Sequence, residues 1–212
     1  MSPKLLYVTT VPYTLRAFLF PFARHFRAKG WIVDAAANGL SSAQDCVGEF
    51  DHVYDIGWER SPIAPRNFTS APRQIHDLVK REDYDIVHVT TPNASFVTRL
   101  ALRSLRKQGK PNVIYSVHGF HFHPLGNPMA NRVFAACERL GGRFTDYLVV
   151  TNDQAEEAGA LFDRDLDRGT LGAVFERVVD EIEADQPEQA RVSRDFESRD
   201  DRAGDADAAL GC

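Results

Sequence analysis

Short apolar runs rich in β-branched residues recur along the first 150 residues, and a helix-period pattern separates most of them. Lys4–Thr10 (KLLYVTT), Trp31–Ala36, His52–Ile56, Asp85–Val89, a run starting at Asn112 and Tyr147–Val150 read as six strands. After the first, Phe18, Leu19, Phe22, Ala23 and Phe26 keep helical spacing over Leu15–Lys29, and Gly30 is the stop. Pro21 inside that stretch demands a kink, or a helix that begins near Phe20. Ser70-Ala71-Pro72 opens a helix through Arg81, with Ile75, Leu78 and Val79 inward. Pro92-Asn93 and Ser95 open another to Lys107, whose expected core face is Phe96, Val97, Leu100, Ala101 and Leu105. Asn127-Pro128 pairs a capping side chain with proline at the first helical position. The helix it starts carries Met129, Val133, Cys137 and Leu140 and ends at Gly141-Gly142; one more helix is expected at Asp153–Leu161.

Strands alternating with helices at this interval predict an α/β fold, a doubly wound, six-stranded parallel Rossmann-like sheet. Right-handed crossovers favour the strand order 3-2-1-4-5-6. Ligands of such sheets bind outside the carboxyl ends of the strands at the switch point, which here falls between strands one and four. Three polar loops converge on that side: Thr9-Thr10 to Thr14, Thr90-Thr91 to Asn93, and His118 to His123.

Charge divides the chain. Residues 163–212 hold 15 acids and 7 arginines (net −8), whereas residues 1–162 hold 15 acids and 18 bases (net +3). Residues 1–162 are therefore expected to form the domain. Within the rest, Leu171, Val174, Phe175, Val178, Val179 and Ile182 give Thr170–Ala184 an amphipathic helical pattern, so residues 163–184 read as a helical extension. From Asp185 the composition cannot bury a core, and residues 185–212 are expected to be a disordered tail. An apolar share of 43% and a charged share of 26% suit a soluble globular protein, and no apolar run approaches the ~20 residues of a membrane span. Three scattered cysteines (Cys46, Cys137, Cys212) argue against a disulfide framework and for the cytoplasm. Neither charge balance is strong enough to imply nucleic acid. Arg16, Arg24, Arg27 and Lys29 beside Phe18, Leu19 and Phe22 raise peripheral membrane contact, although a core helix with a solvated basic face explains them better.

The stretch Asn112–His123 (NVIYSVHGFHFH) concentrates the candidate chemistry. His118 falls where a strand ends, and an imidazole there can hydrogen-bond or carry a proton, or be a structural histidine satisfied by backbone groups. Zinc held by His118, His121 and His123 is the weaker reading. The motif has no cysteine or carboxylate, and alternation puts only His121 and His123 on one side. No GxGxxG, GxxxxGK[ST] or GxSxG signature is present, so the sequence supports no dinucleotide cradle, P-loop or hydrolase elbow.

The segments LLYVTTVPYTLRAFLFPFARHFRAKGWIVDAAAN, YDIVHVTTPNASFVTRLALR and VIYSVHGFHFHPLGNP with ERLGGRFTDYLVVTN resemble the N-terminal half of family-4 glycosyltransferases. The likeness is to the capsule, exopolysaccharide and lipid-linked saccharide branch and covers Lys4 to Phe162. It implies one half of a GT-B fold, in which a first domain binds the acceptor and a second binds the nucleotide-sugar, without metal. On that resemblance His118 matches the catalytic histidine that reaches towards the donor sugar. Thr10, Val11, Pro12, Tyr13 and Thr14, together with Thr91, Pro92 and Asn93, match acceptor-side walls, and Gly119, Phe120 and His121 line the same cleft. The chain departs from the family at Val11-Pro12-Tyr13, where many relatives have a glycine-rich turn, and at Thr90, where many have a second histidine. The donor domain with its E-x7-E motif is not found. The resemblance thus implies a retaining, metal-independent hexosyltransferase domain that is truncated and inactive alone. It needs no cofactor, takes a nucleotide-sugar as co-substrate through a donor domain, and accepts a saccharide or lipid-linked acceptor, in the cytoplasm or at the inner face of the plasma membrane. A non-catalytic binding module working with a separate donor-domain partner is the alternative.

Overall fold

The computed structural model describes residues 2–59, 61, 64–117 and 127–150. Six strands lie in one sheet: β1 (Lys4–Val8), β2 (Ile32–Ala37), β3 (Val53–Asp55), β4 (Ile86–Thr90), β5 (Asn112–Val117) and β6 (Tyr147–Val150). Their order is β3-β2-β1-β4-β5-β6, with every neighbouring pair parallel. The order expected from the alternation of elements is therefore the one adopted. Both sheet faces are covered, which is why the strands read as continuous apolar runs rather than alternating ones.

The first crossover answers the question raised by Pro21. α1 (Pro12–Thr14), a π-helical turn (Leu15–Leu19) and α2 (Phe20–Ala28) follow one another without a break. The Phe20 N–H reaches back five residues to the Leu15 carbonyl. Proline cannot donate, and in a regular α-helix its ring presses on the carbonyl four residues earlier. The wider turn just ahead of Pro21 relieves that conflict. Gly30 ends the helix with φ +82°, its N–H donating to the Arg27 carbonyl at 2.9 Å.

Leu15, Leu19 and Ala23 pack with Leu5, Tyr7, Val33 and Ala35 on one sheet face, joined by Cys46 of α3 (Gln44–Val47) and by Phe50. On the other face Leu6, Val87, Val113 and Tyr115 pack against Ile75, Leu78 and Val79 of α4 (Ser70–Glu82) and Ala94 and Val97 of α5 (Pro92–Ala101). The basic side of the π-helical turn and α2 is spent on this fold. Arg16 pairs with Asp45, Arg24 donates to Glu49 at 2.5 and 2.6 Å, and Arg27 lies 3.2 Å from Asp51.

Two helices differ from expectation. The helix expected to run from Pro92 to Lys107 ends at Ala101, and a separate turn, α6 (Arg103–Arg106), follows. Its buried face is Ala94, Ser95, Val97, Thr98 and Arg99, while Phe96, Leu100 and Ala101 are only half-buried. α7 (Pro128–Gly142) starts at the expected cap, with Asn127 Oδ1 accepting from the amides of Met129 and Ala130 at 2.9 and 3.1 Å. It then turns Glu138, Gly141 and Gly142 inward and leaves Met129, Val133 and Leu140 exposed.

One buried charge network explains both differences. The Arg99 guanidinium, fully buried, donates to Glu138 at 2.8 Å and lies 4.1 Å from the Tyr115 ring centroid. Tyr115 donates its hydroxyl to the other Glu138 oxygen at 3.1 Å. Gly141 leaves room for this arrangement, since a Cβ there would stand 2.7 Å from Arg99 Cζ. The loop His118–His123, the expected helices Asp153–Leu161 and Thr170–Ala184, the extension 163–184 and the tail 185–212 lie outside the described residues.

Candidate functional site

β1 and β4 are adjacent but connect to opposite halves of the sheet, so the loops leaving their carboxyl ends part and leave a crevice. Thr9 and Thr10 are buried at the end of β1, and the Thr9 hydroxyl donates to the Val11 carbonyl at 2.9 Å. Val11 is the extended residue before α1, and Pro12 takes the first helical position with its φ already suited to it. Tyr13 is 45% exposed on this rim, whereas Thr14 is buried.

Thr91 faces these residues from the end of β4. Its hydroxyl accepts from the Thr10 amide at 3.1 Å and lies 2.8 Å from the Thr10 hydroxyl. Its carbonyl accepts from the Ser95 amide at 2.9 Å, tying it to the first turn of α5, which Pro92 and Asn93 begin. Thr91 does this at φ +71°, ψ 126°, a region a β-branched residue occupies only under strain. A local conformational cost is thus held in place by two loops bonded through one side chain. The adjacent Thr90 is buried, and its hydroxyl has no partner among the described residues.

Thr10, Val11, Pro12, Tyr13, Thr14, Thr91, Pro92 and Asn93 are therefore brought to one edge of the sheet, as the sequence implied. His118, Gly119, Phe120 and His121 lie outside the described residues. Beneath the crevice is a feature the sequence reading passed over. His88 Nε2 and the Ser116 hydroxyl are 2.6 Å apart, and the Tyr7 ring centroid is 5.2 Å from that of His88. Polar residues at every second position of β4 (His88, Thr90) and at Ser116 of β5 were the available signal. Burial raises the Tyr7 phenol far above its ordinary range, so it stays protonated.

None of the described loop residues at the crevice is an acid, lysine or arginine. The wall offers hydroxyls, one amide and one exposed phenol, which suits a neutral polyhydroxylated ligand and supplies no charge for a phosphate.

A family model described as a glycosyl transferase 4-like domain matches residues 16–168. The chain belongs to this family. EpsD of Bacillus subtilis (strain 168), named as a glycosyltransferase, is 36% identical over 155 residues, 73% of this chain and 39% of that protein. The UDP-Gal:alpha-D-GlcNAc-diphosphoundecaprenol alpha-1,3-galactosyltransferase of Escherichia coli is 29% identical over 83 residues, 39% of this chain and 21% of that one. The chain thus spans about two fifths or less of the length of these relatives. Among solved structures, a UDP-N-acetylglucosamine 2-epimerase superposes with a TM-score of 0.57 at 16% identity, covering 79% of this chain and 47% of the other. The described domain is accordingly a glycosyltransferase-type Rossmann-like unit, the half of a GT-B fold that the resemblance implied. No helix among the described residues is long and apolar enough to cross a membrane.

Proposed function

We propose that this chain supplies the acceptor-side wall of a retaining glycosyltransferase that moves a hexose from a nucleotide-sugar to a lipid-linked or polysaccharide acceptor of the capsule or exopolysaccharide kind. The observation that carries this is a neutral, hydroxyl-lined crevice at the switch point of a domain matched to the family over residues 16–168. Tyr13 gives the acceptor sugar an aromatic face, Asn93 an amide, and the Thr10–Thr91 contact sets the distance between the two loops that carry them. His118, the residue that follows β5 in the sequence, is the proposed catalytic residue, and Gly119, Phe120 and His121 are proposed to line the same cleft.

The chemistry explains why this wall is only part of a catalyst. As the bond between the anomeric carbon and the diphosphate breaks, negative charge grows on the leaving oxygen while an acceptor hydroxyl forms the new bond. Stabilising that charge requires preorganised donors or cations aimed at the phosphate. The described wall has hydroxyls but no cation, so the diphosphate is assigned to a facing donor domain.

Calorimetry on the purified chain tests this. A short-chain lipid-linked saccharide is expected to bind and to weaken about tenfold or more in Tyr13→Ala, whereas UDP-sugars are expected not to bind. Tight donor binding by the chain alone, or sugar transfer by it that is lost in His118→Ala, contradicts the half-site assignment.

A further inference from the structure

α7 presents to solvent the side that the inward turn of Glu138 leaves outside. Met129, Val133, Ala136 and Leu140 are exposed along it, Met129 at 69% and Val133 at 56%. Their separations of four, three and four residues make one apolar seam about 16 Å long, the spacing by which two helices interlock their side chains. Single exposed apolar residues are ordinary on a surface, but a seam kept in phase over three turns marks a contact face. Arg132 and Arg139 border it on one flank, and Arg143 stands just beyond the helix. All three are exposed and have no carboxylate within ion-pair distance among the described residues.

The same spacing recurs later in the chain with the opposite charge. Leu171, Phe175, Val178 and Ile182 are also four, three and four residues apart, and Val174 and Val179 widen that face. Glu176 and Glu183 are seven residues apart, as Arg132 and Arg139 are beside the seam of α7. Residues 170–184 hold four acids and one arginine (net −3). A helix of this length is marginal alone in water, so its apolar face needs a surface to cover it.

Connectivity permits the match. α7 leads into β6, an edge strand of the sheet, and the chain continues from Val150. The 19 residues between Val150 and Thr170 reach about 60 Å when extended, or about 45 Å if the expected helix Asp153–Leu161 forms, against a length of about 22 Å for α7. A second copy of the chain on this seam would set arginines against arginines, a like-charge contact that an acidic segment avoids. We propose that Thr170–Ala184 folds back as a helix along the outward seam of α7, so that each covers the apolar face of the other and the acids meet Arg132 and Arg139.

Hydrogen exchange of the full chain, read by mass spectrometry, tests this docking. Amides of residues 171–182 are expected to exchange about tenfold or more slowly than those of residues 190–205, in a chain that sediments as a monomer. Met129→Glu with Val133→Glu should abolish that protection and leave β1, β4 and β5 as protected as before, because both side chains are exposed in the domain itself. Arg132→Glu with Arg139→Glu should reduce it about tenfold, and adding Glu176→Lys with Glu183→Lys should restore it. Phe68→Ser, at an exposed phenylalanine ahead of α4, should change nothing. Unprotected residues 171–182 in the wild type, undiminished protection in the Met129 and Val133 variant, no rescue by the reversed charges, an equal loss in Phe68→Ser, or protection that vanishes as a dimer is diluted each overturns the docking. The assay holds no donor or acceptor saccharide, so such a failure is distinguishable from a failure of the sugar-transfer reading.

Discussion

Replacing Glu138 with alanine removes the carboxylate that Arg99 meets among the described residues. Arg99 has no exposure to water, so its charge cannot be rehydrated in place. The 2.8 Å ion pair is lost, and Tyr115 loses the acceptor of its 3.1 Å hydrogen bond. The Tyr115 ring still lies under the guanidinium, but a cation–π contact of about 0.5–2 kcal/mol does not offset an uncompensated buried charge. Breaking a buried pair from one side costs about 3–5 kcal/mol, a large part of the ~5–15 kcal/mol that stabilises a domain. Urea unfolding followed by the fluorescence of Trp31 and the buried Trp58 reads this directly. Glu138→Gln keeps a carbonyl acceptor and should fall between the wild type and Glu138→Ala. Arg99→Leu with Glu138→Leu removes both charges and should recover most of the loss, since an apolar pair of similar volume is often neutral or better. If Glu138→Ala costs under about 1 kcal/mol, the network does not carry the weight assigned to it.

Other expectations follow from single observations. Thr91→Ala keeps the strained backbone and loses the bond from the Thr10 amide, so it should cost about 1–2 kcal/mol, and Thr91→Gly should be the more stable of the two; the reverse order of urea midpoints contradicts the strain. Lys110 and the Lys4 amide hold the Asp85 carboxyl below its ordinary value of 3.8. Because the folded value is the lower one, that stability is complete above the ordinary value and is lost as pH falls through the folded one. Asp85→Asn should therefore flatten the acid limb of a stability-against-pH curve, and an unchanged limb would count against it. Arg16 and Asp45 pair on an exposed surface, so Arg16→Gln should shift stability by less than about 1 kcal/mol in the same assay.

Sheet order and crossover pattern were legible because each depends on long-range alternation that few competing folds share. Gly30 and Asn127-Pro128 were legible because each performs a local task that few residues can. Arg99 was not, because helical periodicity scores an arginine as outward and cannot see a carboxylate 39 residues away. The misplacement of Phe96, Leu100 and Met129 follows from that one error, since turning Arg99 and Glu138 inward rotates apolar neighbours towards solvent. In the crevice, Thr10 and Thr91 were legible as polar residues at strand ends. The positive φ of Thr91 was not, because nothing in a threonine announces a conformation that suits glycine. His88 and Ser116 stayed hidden inside runs whose apolar character dominated the reading.

The π-helical turn at Leu15–Leu19 has a consequence for residues on either side of it. It closes its hydrogen bond over one residue more than an α-turn, and a residue advances an α-helix by about 100°. The turn therefore works as a phase adapter between the rim segment at Tyr13 and the core-facing Ala23. Closing the same residues as ordinary α-helix would therefore swing the rim about 100° around the axis, whereas deleting one residue within Leu15–Leu19 would remove the extra residue of the wide turn and leave rim and core in phase. Crevice geometry and core packing are in this sense indexed separately along one rod, and the wide turn absorbs the one residue that would otherwise put them out of phase.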